Sequence, residues 1–375
     1  MAGKLIGGAI MMGKNSLMGW SAGWKIALAL AVALGASAAG AATGSSAGCS
    51  NGSTQKDCSF QSGALQQTFS SGSTSYGSLF SGGFGGGGNG GSNGFNNTSQ
   101  LGSSRFALSS GDTGKAAAGM GSKWNAWLSL SQSNVAYQFQ PLQSSGRINL
   151  TLVGVDYTFA NNATVGVAAG WDQTRVNTTF NGGNLGTNGN MVAPYLSWRF
   201  TPAWSLDASV GFGRSNTSQT DNSVVGGITG NYSDQRMLGS VSLAYSKLIG
   251  KWQLTGRGSY LASQDKLSQF TLSNGNSIAA ATNRNSQLRF GGQAMYNGGV
   301  FLPYAGLYYF NDVQRTTQGA VGGVTPANDR DGFQVQLGIQ FAPKGQVYGG
   351  LMVATDVGRS QVKNDLFLGN VGIRF

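Results

Sequence analysis

The chain has 375 residues, of which only 10% are charged and 62 are glycine. Soluble globular proteins carry about 25% charged residues, so this composition argues against most soluble classes. Mean hydropathy is near zero, and after the N-terminal stretch no apolar run reaches the roughly 18–20 residues that a membrane-spanning helix needs. Alternating β-strands therefore remain as the way for this chain to contact lipid.

The first 42 residues have the pattern of an export signal. An apolar run at residues 26–35 is followed by small residues up to Ala42, and basic residues precede it: Lys4, Lys14 and Lys25. We place the cleavage site between Ala42 and Thr43. The alternative is a single membrane anchor, for which the apolar run is short.

Two cysteines, Cys49 and Cys58, follow the cleavage site and are the only ones in the sequence. In an exported chain such a pair predicts a small loop closed by a disulfide. A lipoprotein modification site at Cys49 fits less well, because Ser46 stands where a large aliphatic residue is expected. A metal site needs more ligands than two thiols, and the chain has no histidine.

Residues 43–104 are low in complexity and rich in glycine and serine. The stretch at 81–94 cannot bury enough apolar surface to offset the entropy of ordering it. We therefore predict a surface or linker segment without a large folded domain. Residues 105–122 continue it as a second linker.

From residue 123 to residue 375 polar and apolar residues alternate with a period of two in about twelve segments. This pattern predicts an all-β fold, an antiparallel up-and-down transmembrane β-barrel of about twelve strands. The segments begin near Trp124, Ile148, Val165, Val192, Trp204, Met237, Trp252, Leu288, Val300, Phe333, Val347 and Leu366.

The polar faces of these segments contain Gln, Ser, Gly and few charges, which is too little charge for a surface in water. The apolar faces should therefore meet lipid and the polar faces a hydrated lumen. Charged residues on the polar faces are expected to line that lumen: Arg199, Asp207, Arg257, Arg289 and Arg374.

The formal net charge of +11 falls to +8 when the three leader lysines are removed. The remaining basic residues are spread along the chain and form no stripe for a nucleic-acid duplex, so we expect no nucleic-acid partner. Basic residues at the outer rim are instead expected to contact outer-membrane lipid and lipopolysaccharide.

Connection lengths alternate along the predicted barrel. Short turns are expected at 160–163, 201–203, 249–251, 297–299 and 342–345, and long polar loops at 136–146, 174–190, 214–235, 263–286, 311–331 and 355–365. Short periplasmic turns and longer extracellular loops are typical of outer-membrane barrels. Aromatic residues beside the short turns predict an interfacial girdle: Phe159, Phe200, Trp204, Trp252, Phe301, Phe341, Tyr348 and Phe375.

The last strand ends with the chain, and one of its faces is apolar: Phe367, Val371, Ile373 and Phe375. Together with the strand pattern, several motifs resemble the translocator β-domain of autotransporters, the type V secretion proteins of Gram-negative bacteria. They are Ala118-Gly-Met-Gly-Ser-Lys-Trp-Asn-Ala-Trp-Leu-Ser129, Val153-Gly-Val-Asp-Tyr157, Val165-Gly-Val-Ala-Ala-Gly-Trp171, Leu206-Asp-Ala-Ser-Val-Gly-Phe-Gly213 and Val371-Gly-Ile-Arg-Phe375.

The resemblance implies a barrel in the bacterial outer membrane whose preceding segment, with a candidate helix at 112–122, threads the lumen and emerges at the cell surface. It also implies that the barrel-assembly machinery recognises the terminal aromatic strand. The segment at 43–104 is much shorter than a long β-helical passenger.

Without histidine, Ser–His hydrolysis is excluded, so we expect no enzyme, no catalytic residue and no cofactor. The predicted function is an autotransporter-type barrel that anchors, and exports, its own short N-terminal segment. The alternative is a porin-like, structural or adhesive barrel that acts through its extracellular loops and whose surface ligand the sequence does not identify.

Overall fold

A computed structural model describes residues 123–160, 162–223, 225–315, 324, 327–341 and 347–375. Several predictions concern residues outside these ranges. They are the leader with its cleavage site at Ala42 and Thr43, the cysteine pair Cys49 and Cys58, the segment 43–104, and the linker 105–122 with its candidate helix.

Twelve antiparallel strands close into one barrel, which confirms the predicted fold. These strands are β1 (Trp124–Tyr137), β2 (Ser144–Thr158), β3 (Ala163–Thr178), β4 (Gly183–Arg199), β5 (Trp204–Asp221), β6 (Ile228–Ile249), β7 (Trp252–Leu267), β10 (Ala281–Tyr296), β11 (Phe301–Arg315), β12 (Asp331–Phe341), β13 (Val347–Val357) and β14 (Val362–Arg374). The remaining two, β8 (Phe270–Thr271) and β9 (Ser277–Ile278), form a small hairpin between β7 and β10.

Each barrel strand pairs with its neighbours in the chain, and β1 pairs with β14 to close the sheet. The register at this seam is regular from Asn125, opposite Arg374, to Tyr137, opposite Val362. At its end the backbone N–H of Trp124 donates to the carbonyl of Phe375 at 3.2 Å, and the Phe375 N–H donates back at 3.1 Å. Closure therefore leaves no open edge in the barrel sheet that the structure describes, which lipid requires because it cannot hydrogen-bond to the backbone.

The alternating pattern determines which side chains face outward. On β12, Leu337 is 54% exposed whereas its neighbour Gln336 is 3% exposed, since successive side chains of a strand point to opposite faces of the sheet. The same alternation exposes Leu288 and Phe290 on β10. The apolar faces point outward, as predicted. In the described part of the chain, no helix is long and apolar enough to cross a membrane.

The predicted long loops are wrong in most cases, because the strands continue into them. Residues 174–190, for example, were expected to form a loop, but β3 ends at Thr178 and β4 begins at Gly183. The extended parts of these strands are polar on the outward face, so apolar alternation stops although backbone pairing continues. Between the described strands, the two longest connections on this rim join β7 to β10 and β11 to β12, and we call this rim the long-loop rim.

The opposite rim, with the short turns and the barrel's two chain ends, is the short-turn rim. Aromatic side chains are exposed there, as predicted for Phe159, Phe200, Trp252, Phe301 and Phe375. Neighbouring rings pack in pairs: Tyr157 with Phe159 (4.9 Å between centroids), Trp204 with Tyr245 (5.0 Å) and Trp252 with Tyr296 (5.2 Å). The prediction is wrong for Tyr348, which lies one pleat position off the outer face and is buried in the lumen.

Aromatic rings inside the barrel lie against glycines directly opposite them on the neighbouring strand. Added Cβ atoms on these glycines would come within 2.3–2.4 Å of the ring atoms, so only glycine leaves room. The pairs are Trp127 with Gly154, Tyr195 with Gly166, Tyr304 with Gly338 and Tyr348 with Gly372.

We predict that Gly166→Ala destabilises the barrel by about 1–3 kcal/mol, because the new methyl group would displace the Tyr195 ring. The free energy of unfolding of the refolded barrel in urea measures this. Gly258→Ala on β7 is the matched control, since a Cβ there meets nothing within 4 Å. Equal stability of the two variants would show that ring and glycine do not fit as closely as described.

Candidate functional site

The inward faces of the twelve strands line the candidate site, the barrel lumen. Four of the five charged residues predicted to face it are buried there: Arg199, Asp207, Arg257 and Arg289. Asp207 accepts hydrogen bonds from Ser197 at 2.6 Å and Ser242 at 3.3 Å. Arg374, the fifth, is half-buried on the same face and places its guanidinium carbon 5.1 Å from the centre of the Tyr348 ring.

On the other side of the lumen, polar groups connect β10, β12, β13 and β14. Arg289 donates a hydrogen bond to the side-chain oxygen of Gln334, whose amide donates to Asp356 at 2.8 Å. Asn364 donates to the second Asp356 oxygen at 3.2 Å. A buried carboxylate and guanidinium are thus joined through a glutamine, and burial makes such satisfied polar contacts strong.

A second network lies beside the seam between β1 and β14. Tyr348 donates to Asn125 at 2.9 Å, and the Asn125 amide donates to Asp156 at 3.3 Å. Tyr195 also donates to Asp156, at 2.7 Å, and accepts from the indole N–H of Trp127 at 2.9 Å. Five side chains from β1, β2, β4 and β13 thereby connect across the seam, where sequence separations reach 223 residues.

The inward face is not uniformly polar, unlike the expected hydrated lumen. Sixteen buried apolar side chains form one inward-facing cluster, among them Leu150, Met191, Leu238, Met295, Leu302, Tyr304, Met352 and Leu366. On β2 both faces are apolar, with Leu150 and Leu152 inside and Val153 and Val155 outside. Period two cannot identify the lipid side of such a segment, so the sequence did not reveal this cluster.

The connection between β7 and β10 folds inward over the long-loop rim and forms what we call the cap, residues 268–280. Its Phe270 stacks on Tyr232 at 4.6 Å between centroids. With Leu272 and Ile278 it packs against inward-facing side chains of the barrel strands: Val176, Leu185, Tyr232 and Leu267.

Hydrogen bonds fix the cap to β6. The Ser268 N–H donates to the Ser233 carbonyl at 3.1 Å, and the Ser273 N–H donates to the Thr229 carbonyl at 2.8 Å. In return the Thr229 N–H donates to the Ser273 hydroxyl at 2.9 Å. The cap therefore continues the pairing along β6 beyond the end of β7, and its apolar side chains, packed against inward-facing residues, narrow the mouth.

Two further connections also turn inward at this rim. Phe139 and Leu142, between β1 and β2, pack with Tyr137, Phe180 and Val362. Between β13 and β14, Arg359 reaches the buried carboxylate of Asp312 at 2.6 Å, and its guanidinium lies 4.5 Å from the Phe310 ring centre.

The connection before β12 is tied to the same place by Asp329, which accepts hydrogen bonds from the Gln361 N–H and the Ser360 hydroxyl. Partial burial raises the pKa of this carboxyl group. Hydrogen bonds from the backbone of Gln361 and Ser360 together lower the pKa by more than burial raises it, so the pKa lies below its usual value. Asp329 therefore stays ionised and holds two connections together.

Among the described residues, no group of three or more acidic, histidine or cysteine side chains is placed to hold a metal ion. The side chains that shape the lumen and its mouth come from positions far apart in sequence and belong to no local motif.

Comparison with known proteins agrees with this architecture. The family model for the autotransporter β-domain matches residues 127–353. No curated protein sequence matches the chain significantly.

Solved structures share the fold at low identity. The translocator domain of the autotransporter NalP from Neisseria meningitidis superposes with a TM-score of 0.59 at 14% identity, covering 69% of this chain and 91% of NalP's. The β-domain of the Bordetella autotransporter BrkA superposes with a TM-score of 0.57 at 14% identity, covering 68% of this chain and 100% of the BrkA chain. The chain belongs to the autotransporter β-domain family and is an outer-membrane β-barrel of the autotransporter type.

Proposed function

We propose that the barrel anchors the N-terminal segment, residues 43–104, and exports it to the bacterial cell surface through the lumen. This proposal rests on the position of the first residue of the barrel. The Lys123 carbonyl accepts from the Thr158 N–H at 2.8 Å, so residue 123 lies at the short-turn rim, which faces the periplasm in this type of barrel. The preceding chain thus meets the barrel at its periplasmic mouth.

Linker length fits passage through the lumen. As a helix, the 18 residues of 105–122 would span about 27 Å, close to the roughly 25 Å height of the apolar band of an outer-membrane barrel. The 62 residues of 43–104 would then lie beyond the extracellular mouth, with the Cys49–Cys58 disulfide, after removal of the leader at Ala42.

The lumen wall suits a peptide better than free water. Met295, Leu302 and Met352 face inward and are buried, whereas the wall of a water-filled channel is polar. Mixed apolar, amide and charged groups can pack against a threaded segment and also hydrogen-bond to it. This disfavours the alternative of a porin-like barrel.

The proposed function involves no catalysis. We infer that neither the barrel nor the N-terminal segment is an enzyme, and that no cofactor is needed.

We propose that the barrel-assembly machinery recognises the C-terminal strand. Its apolar side chains Phe367, Val371, Ile373 and Phe375 are exposed on the outer face, where the barrel-assembly machinery would reach them before the strand pairs with β1.

The export step predicts that Ser78→Cys, in a Cys49→Ser/Cys58→Ser background, reacts with a membrane-impermeant maleimide on intact cells. The reason is that residue 78 lies within the exported segment. Asn274→Cys, on the exposed cap tip, is the labelled control, and Lys251→Cys, on a short turn, should react only after permeabilisation. If Ser78→Cys behaves like Lys251→Cys, the segment stays in the periplasm and export is refuted.

The narrowed mouth predicts low ion conductance in planar bilayers. Phe270→Ser/Leu272→Ser/Ile278→Ser removes the apolar contacts of the cap, each worth about 1.5–3 kcal/mol on full burial, and should raise conductance several-fold. Asn274→Ser/Asn276→Ser changes the same loop but keeps those contacts, so its conductance should match the wild type. A large, permanently open wild-type pore would support the porin-like alternative instead.

A further inference from the structure

Charged side chains are unevenly distributed around the outer wall of the barrel, in the zone between the apolar band and the extracellular rim. On β2–β7 the outward side chains there are amides, hydroxyls and cations, and none of those described is a carboxylate. The cations are exposed and form what we call the basic face: Arg147, Arg175, Arg214 and Lys266. The other half of the wall differs, because Asp331 and Asp365 face outward there beside Lys363.

Two members of the basic face oppose each other directly. Arg147 on β2 and Arg175 on β3 are cross-strand partners in the ladder, and like charges in this position destabilise a sheet. In the part of the chain that the structure describes, neither guanidinium has a hydrogen-bond or ion-pair partner. An anion held between them would replace repulsion with charge-assisted hydrogen bonds, and the planar guanidinium is well shaped to bind phosphate.

The position of the basic face along the wall favours an anion at the level of the lipid headgroups. Arg214 follows Phe212, the last apolar outward residue of β5, by two positions, or about 7 Å along the strand. Arg175 follows Trp171 by four positions, or about 13 Å. The cations thus begin at the edge of the hydrocarbon layer and continue above it. In the outer leaflet, the phosphate groups of lipopolysaccharide lie at this level.

We propose that the basic face is a binding site for the phosphate groups of lipopolysaccharide. Arg147 and Arg175 bind one phosphate between them, Arg214 contacts the headgroup nearer the hydrocarbon, and Lys266 adds a further cation on the same face. The acyl chains then lie against exposed Trp171 and Phe212. The proposal concerns the outer wall and depends on the outer-membrane orientation of the barrel. It does not depend on export through the lumen.

Titration of the purified full chain in detergent with lipopolysaccharide tests the proposal. We expect saturable binding that weakens by about tenfold or more in Arg147→Gln/Arg175→Gln, because two charge-assisted contacts are lost. The matched control is Lys247→Gln/Lys251→Gln, which removes the same charge from exposed positions at the short-turn rim. Its affinity should stay within about twofold of the wild type.

Heat-modifiable gel migration verifies that both variants fold, and a parallel titration with phosphatidylglycerol separates the two sources of phosphate. Weak phosphatidylglycerol binding that is insensitive to Arg147 and Arg175 supports a lipopolysaccharide site. Equal losses of lipopolysaccharide affinity in the two double variants would overturn the proposal, because the effect would then be general charge. Phosphatidylglycerol binding that is as tight as lipopolysaccharide binding and depends on the same arginines would also overturn the proposal.

Discussion

Hydrogen bonding between β1 and β14 is the contact on which the rest of this molecule depends. A sheet in hydrocarbon cannot leave backbone N–H and C=O groups unpaired, so the first and last strands must meet in register. The seam from Asn125 to Tyr137 satisfies this requirement. Closure separates the lumen from lipid, and the even number of strands places both ends of the barrel at one rim.

In the closed barrel, side chains on the inward face pack closely against neighbouring strands. Rings such as Tyr195 fit over glycines on the neighbouring strand, and the same hydroxyl joins Asp156 and Trp127 beside the seam. Tyr195 thereby contacts a glycine of the neighbouring strand with its ring and joins a polar network with its hydroxyl. The lumen is consequently lined by packed apolar side chains and buried charges rather than by an entirely polar wall.

The sequence predicted the parts of the structure that meet lipid. Alternation along segments such as 333–341 identified the strands, their number and their outward face, because lipid imposes one polarity on every second residue. It failed where lipid ends. Residues 174–178 and 183–190 are paired strand although their outward face is polar, and Tyr348 was placed outside because its aromatic character outweighed its pleat position.

The site was less predictable than the fold. Charged lumen positions such as Arg289 could be inferred from the polar face of their strands, and they are buried there. The cap contacts of Phe270, by contrast, depend on how a loop folds back over strands far away in sequence. The pairing of Arg147 with Arg175 depends on register between strands, which alternation alone does not define.

A disulfide cross-link between β1 and β14 tests closure of the barrel. In a cysteine-free background, Leu128→Cys and Val371→Cys lie directly opposite each other, so mild oxidation in outer membranes should join them in most molecules. Leu128→Cys with Val335→Cys is the control, because three strand spacings of about 4.8 Å separate these positions and should prevent a disulfide. Absence of the seam cross-link, or equal cross-linking of the control, would contradict a barrel closed by β1 and β14.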